Sequence, residues 1–212
     1  NFGLPISETQ RINFGVLAEY TEITEGYYAA QEISEFIEIN GSTSVNLKAN
    51  VSWSRSTLNR GIFADRGSSQ SIAAEISMPG SDLQFYKFIY NGERYFPITN
   101  SWTLRFRTEL GYGGGYGDTP GLPFYEHFYG GGFGSIRGFE NSTLGPRSTP
   151  PLDADGNPVY FRDRNGDPFG GNLLVEATAE LIFPMPFVDD NRQFRPAIFV
   201  DAGNVFNTNC PT

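Results

Sequence analysis

Two carboxylates, Glu180 and Asp201, occupy polar-facing positions on consecutive alternating segments near the end of the chain. A hairpin turn centred near residues 190–191 would set them nearly level across a strand pair. Like charges placed opposite one another are destabilising, so such a pair calls for a cation between them. Read alone, they stand equally well as two independent carboxylates in a watery interior. Acid–base work of the glycosidase kind also uses paired carboxylates, but no substrate cleft can be read beside these. One arginine stands apart. The glycine-rich run 130–134, with four glycines in five residues, leads into Ile136-Arg137-Gly138-Phe139. Glycine permits close backbone approach and positive φ, so this segment can fold back and dock, with Gly138 allowing close approach and Phe139 packing beside the arginine.

Other residues invite chemistry and fail a simple test. His127 is the only histidine, and no nucleophile or orienting group stands at a spacing that would make it a catalytic base. The acidic runs Asp153–Asn157 and Asp163–Asp167 look like calcium loops. A full loop needs a carboxylate at its twelfth position, where this chain has Arg164 and Leu174. Asp-Gly and Asn-Gly favour tight turns, so both runs read as turns, and neither a metal nor a cofactor is implied.

The elements that must position these residues are strands. Ile12, Phe14, Val16, Ala18 and Tyr20 alternate with more polar neighbours, among which Leu17 is the exception. From Ser44 to Ser54 the alternation is strict, with Val45, Leu47, Ala49, Val51 and Trp53 on one face. The same period of two recurs at 71–78, at 86–93 with Ile89 out of pattern, at 101–112, at 172–183 and at 196–206, giving about seven strands. Pro5–Glu8 reads as a short turn. Residues 24–43 read as a long loop folding over itself, in which Ala30, Ile33, Phe36 and Ile37 fall at the spacing of one or two helical turns. Most strands approach the roughly 9–11 residues that a tilted membrane strand needs. Trp53, Trp102, Tyr20 and Tyr112 near strand ends suit an interfacial girdle. The connections 21–43 and 113–171 are long, and 94–100 and 184–195 are shorter. That asymmetry predicts an antiparallel up-and-down transmembrane β-barrel, built in part, with the long set outside the cell. The connections at 55–70 and 79–83 fit this side assignment poorly.

Composition agrees. Glycine numbers 25 and aromatic residues make up 15% of the chain, which favours strands and turns. No apolar run reaches the length of a membrane-spanning helix, and a barrel needs none. The net charge of −9 offers no basic stripe for phosphates and argues against nucleic acid as a partner. The single cysteine, Cys210, has no partner for an internal disulfide.

The run FYEHFYGGGFGSIRGFENSTLGPR (124–147), together with 1–15, 56–68, 78–87 and 199–206, resembles the outer-membrane barrel-assembly superfamily, also called the bacterial surface antigen family. Its loop motif, a hydrophobic residue followed by Arg-Gly-Phe, is matched by Ile136, Arg137, Gly138 and Phe139. The resemblance implies a sixteen-stranded barrel, of which residues 1–212 would supply about seven strands, with 113–171 as a long extracellular loop. It implies that Arg137 docks inside the barrel against Glu180 and Asp201. It also implies a non-enzymatic role in the outer membrane of a Gram-negative bacterium, folding and inserting nascent β-barrel proteins with accessory lipoproteins and membrane lipid as partners. The alternatives are a secretion or translocation transporter of the same superfamily, a passive porin-type channel or, further off, a barrel enzyme.

Overall fold

The computed structural model describes residues 1–153, 155–160, 166–185 and 195–209. Among the described residues eight antiparallel strands run β1 (Phe2–Ser7), β2 (Gln10–Glu22), β3 (Thr43–Ser56), β4 (Gly67–Ser77), β5 (Phe85–Pro97), β6 (Thr103–Gly115), β7 (Leu173–Ile182) and β8 (Ala197–Phe206). They form one sheet in sequence order, in which β1 and β8 are the two edges. The strands number eight rather than seven because Pro5 is not in a turn. It pairs with Arg11 within β1, and the chain reverses only after Ser7, which pairs with Gln10. The pairing shifts register between Pro5 and Ser7, an irregularity of the kind at which proline is accommodated in a sheet.

Strand alternation divides the sheet into two chemically opposite faces. The outer face carries Phe14, Val16, Tyr20, Val51, Ile72, Phe88, Phe106, Leu110, Val175, Ile198 and Val200, all exposed. A belt of exposed apolar side chains crossing this many strands is far larger than a water-soluble surface carries, and it is what a lipid-facing barrel wall requires. Tyr20 and Tyr112 lie toward one end of the belt, while Trp53 and Trp102 lie toward the other. Trp102 stacks on Phe183 with ring centroids 5.5 Å apart, and the Trp53 indole N–H donates to Gln10 Oε1 at 3.2 Å.

The inner face collects the charges: Glu19, Lys48, Glu75, Lys87, Glu93, Arg105, Arg107, Glu109, Glu176, Glu180 and Asp201. Cross-strand register sets several opposite signs against each other, with Glu75 facing Lys87, Glu93 facing Arg107 and Arg105 facing Glu180. The connections 23–42, 78–84 and 116–172 leave from one end, and 57–66, 98–102 and 183–196 from the other. The segment 24–43 contains a helix, α1 (Gln31–Asn40), of ten residues, longer than its sequence spacing suggested. It is stabilised by packing: Phe36 meets Phe124 and Tyr125 edge-on at 5.3 and 6.2 Å. Cys210 and the centre of the β7–β8 turn lie outside the described residues.

The outer face yields a direct test. Val16 is 63% exposed near the middle of β2, so Val16→Arg places a charge in hydrocarbon at a cost of about 2–4 kcal/mol. Ser52→Arg, on the inner face of the adjacent strand, is expected to cost much less. Urea titration of the barrel folded into phospholipid vesicles measures both, and equal costs would contradict the assignment of faces.

Candidate functional site

The long connection between β6 and β7 does not stand away from the wall but packs across its inner face. Its first half makes a 3₁₀ turn at Phe124–Glu126. Phe128 follows, buried in an apolar cluster with Leu83, Phe85, Leu122, Leu174 and Val205, and Ile89 packs against it. Ile89 breaks the polar pattern of its strand because this cluster lies over it. Opposite Ile89 on β6 stands Gly111; a Cβ there would come within 2.7 Å of the Phe128 ring. Backbone bridges Phe128–Gly171 and Gly130–Leu144 tie the two arms of the connection together.

Beyond this apolar pin the chain turns tightly. Ser135 Oγ accepts from the Gly131 N–H at 2.8 Å and donates to Glu176, while Gly132 N–H donates to the Ile136 carbonyl at 3.1 Å. Ile136 is buried, and Arg137 reaches the wall. Its Nε and Nη2 donate to Asp201 Oδ2 and Oδ1 at 2.8 and 2.7 Å, its backbone N–H donates to Oδ2 at 3.0 Å, and Nη1 donates to Glu180 Oε1 at 2.6 Å. The guanidinium also lies 3.4 Å from the ring centroid of Phe199, a cation–π contact. Hydrogen bonding to Asp201, which outweighs the opposing effect of burial, raises the Arg137 pKa above its ordinary value, so this group stays charged.

The network continues along the wall. Glu180 Oε2 accepts from Arg105 Nη1 at 2.7 Å, Arg105 Nε donates to Glu93 Oε1 at 2.6 Å, and Tyr95 donates to the same oxygen at 2.8 Å. Glu180 and Asp201 are not level, however. Glu180 faces Phe199 and Asp201 faces Thr178, because the pairing register is two residues off one centred at 190–191. The diagonal offset leaves Phe199 beside the two acids as the floor on which the planar guanidinium rests, while its nitrogens serve both acids.

The remaining motif positions behave differently from the sequence expectation. A Cβ on Gly138 would meet nothing within 4 Å, but its φ is +93°, so the position needs glycine for backbone conformation and not for close approach. Phe139 is 54% exposed and is not buried beside the arginine. His127 is fixed by a 3.0 Å hydrogen bond between Nδ1 and the Phe169 carbonyl, and burial pushes its pKa below the ordinary value. The Asp153 run is a turn whose carboxylate is occupied by its own backbone: Oδ1 accepts from Asp155 N–H at 2.9 Å and Asn157 N–H at 2.8 Å. Residues 163–165 of the second acidic run lie outside the described residues.

Sequence reasoning missed Glu126, whose carboxylate accepts from Lys48 Nζ at 2.5 Å and from Lys87 Nζ at 2.9 Å. It also missed Arg105 and Glu93. A signal was available for the first group: Lys48 and Lys87 are the only lysines in the chain, and both fall on polar-facing positions.

The whole chain, residues 1–212, matches the model of the Omp85 superfamily domain. The chain belongs to the Omp85 superfamily. Among relatives of this Omp85 chain, the outer membrane protein assembly factor BamA of Neisseria meningitidis serogroup B is 36% identical, over 96% of this chain and 25% of its own length. A SAM50-like protein of Schizosaccharomyces pombe is 23% identical over 91% of the chain and 37% of its own. A crystal structure of BamA from Haemophilus ducreyi lacking POTRA domains 1–3 superposes with a TM-score of 0.80 at 27% identity, covering 97% of this chain and 40% of that one. The chain thus spans about a quarter of the length of the Neisseria relative. Its fold is that of part of an Omp85 barrel, and its place is the outer membrane of a Gram-negative bacterium.

Gly111 tests whether the apolar pin positions the arginine. Gly111→Ala would press on the Phe128 ring, and overpacking of this kind costs about 1–3 kcal/mol. The expected result is faster trypsin cleavage after Arg137, since cleavage requires the guanidinium to leave its carboxylates. An unchanged cleavage rate would separate the pin from the arginine site.

Proposed function

We propose that residues 1–212 are part of the barrel domain of an outer-membrane β-barrel assembly factor, which folds and inserts nascent outer-membrane proteins. On this reading residues 113–171 form a long extracellular loop held inside the barrel by Ile136-Arg137-Gly138-Phe139. The observation that carries it is the reception of Arg137 by Asp201 and Glu180, together with 36% identity to a BamA protein. The work is done by contact and needs no covalent step. Client strands would be templated at edge strands of the complete barrel, with accessory lipoproteins and membrane lipid as further partners.

Arginine suits the lock because its planar fork serves two carboxylates and stays charged. The position of the loop across the inner face also supports assembly over passive conduction, since a porin keeps its constriction open.

Arg137→Ala in the full-length protein removes the cation from Asp201, whose side chain is 3% exposed, and one of two cations from Glu180, 9% exposed, which keeps Arg105 at 2.7 Å. Breaking a buried pair costs up to about 3–5 kcal/mol, less where water enters. The expected outcome is a barrel that still forms but assembles a client barrel into vesicles more slowly, with Arg137→Lys recovering only part of the loss because lysine lacks the fork. Protease protection of the client measures both. Wild-type assembly by the alanine variant would remove the lock from the mechanism.

A further inference from the structure

We propose that Glu126 is a second positioning residue for the docked loop, an acidic anchor held by Lys48 and Lys87 that complements the basic anchor Arg137. The Glu126 carboxylate bridges two strands that are not neighbours. One oxygen meets Lys48 on β3 at 2.5 Å and the other meets Lys87 on β5 at 2.9 Å, with β4 between them. The three side chains are 14%, 4% and 17% exposed in the order Glu126, Lys48, Lys87. These are the only lysines of the chain, and both converge on this one loop carboxylate.

The surroundings separate the two lysines. Lys48 also has Glu19 at 2.6 Å and Glu75 at 3.7 Å, both on the wall and not on the loop. Among the described residues, Glu126 is the carboxylate within ion-pair distance of Lys87. Undocking therefore takes from Lys87 the ion pair it makes here and leaves it the cross-strand Glu75 opposite, which Lys48 also approaches. Aromatic rings line both cations: Lys48 lies 5.0 Å from the Phe85 centroid and Lys87 lies 5.1 Å from that of Phe128. Phe128 is the loop's own apolar pin, so Lys87 senses the loop twice, through its carboxylate and through its ring.

The arrangement also fixes orientation. The loop presents an acid to the two lysines on β3 and β5, which stand among Glu19 and Glu75, and a base to the two acids on β7 and β8. A shifted or reversed docking would set Glu126 against Glu180 and Asp201, where like charges repel. Arg137 alone secures one end of the crossing strap, and Glu126 determines where the other end lands.

This inference rests on the docked-loop reading of Arg137 but not on assembly activity, so its test reads the loop itself. Amide hydrogen exchange is measured on the full-length protein in phospholipid vesicles for wild type, Glu126→Gln, Lys87→Gln and the double variant. In Glu126→Gln, exchange at 124–130 is expected to rise about tenfold, while 135–139 stays protected by Arg137. In Lys87→Gln it should rise by a smaller factor, about threefold, because Lys48 still holds the carboxylate. The double variant should exchange more slowly than the product of the two factors, since the Glu126–Lys87 contact can be lost only once, which is the signature of a coupled pair. Wild-type exchange at 124–130 in Glu126→Gln, or factors that simply multiply, would overturn the proposal. Should Glu126→Gln fail to insert, Lys87→Gln decides alone, and exchange there equal to wild type also overturns it. Loss of protection at 135–139 in the wild type would instead strike the docked-loop reading itself.

Discussion

Asp201 and Glu180 stand close together on adjacent strands and would repel each other without the guanidinium between them. That repulsion is the constraint on which the inner face depends. A wall one strand thick uses its backbone groups in the ladder, and strand geometry sends alternate side chains to opposite sides. If one side must be apolar for lipid, the charges in the middle of the wall go to the other, and those on the outer register, Arg55 and Arg94, stand near strand ends. The interior then has to neutralise its charges by its own means. Part of this is done across strands, as where Arg105 meets Glu180 and Glu93. The remainder needs charges from outside the wall, and the long connection supplies both signs.

The apolar cluster around Phe128 adds what ion pairs lack. Charge attraction in a partly wet interior is weakly directional and screened, whereas burying a large ring against Leu174 and Val205 fixes a depth. Gly111 marks the spot by leaving room. Two charge contacts on either side of one packed ring give the strap a defined position, and α1 then closes over its outer part. Glu32 accepts from the Thr149 N–H at 2.8 Å and its hydroxyl at 2.6 Å, and Gln31 Nε2 donates to the Pro150 carbonyl at 2.7 Å.

The strands were legible because alternation of period two is a local property, visible in Val45 to Trp53 without knowing any neighbour. Strand β1 was not, because a proline in a short segment reads as a turn unless the pairing partner is known. Register between β7 and β8 depends on where the hairpin turns, and the turn formers Asp189, Asp190 and Asn191 stand side by side, so residue type does not choose one centre and the two acids were set level when they are diagonal. The acids themselves were legible as inner-face residues, but their link to Arg137 came from resemblance, since more than forty residues separate the arginine from either of them. Ile89 looked like an error in the pattern until the loop ring above it explained it. Glu126 was hidden for the same reason: its meaning lies in two lysines 78 and 39 residues away.

The grip of α1 on Thr149 and Pro150 has a kinetic consequence. Holding a long chain at several points turns one large fluctuating arc into a series of short ones. The entropic cost of closing an arc rises only slowly with its length, by about 0.6 kcal/mol per doubling. Once one attachment exists, the next therefore costs less to form than it would from a free chain. Attachments that ease one another's formation also delay one another's loss, because a point that opens is held near its partner by those still closed. Release of the connection should then be a rare collective event rather than a succession of independent openings, with the helix as the last restraint on its outer half.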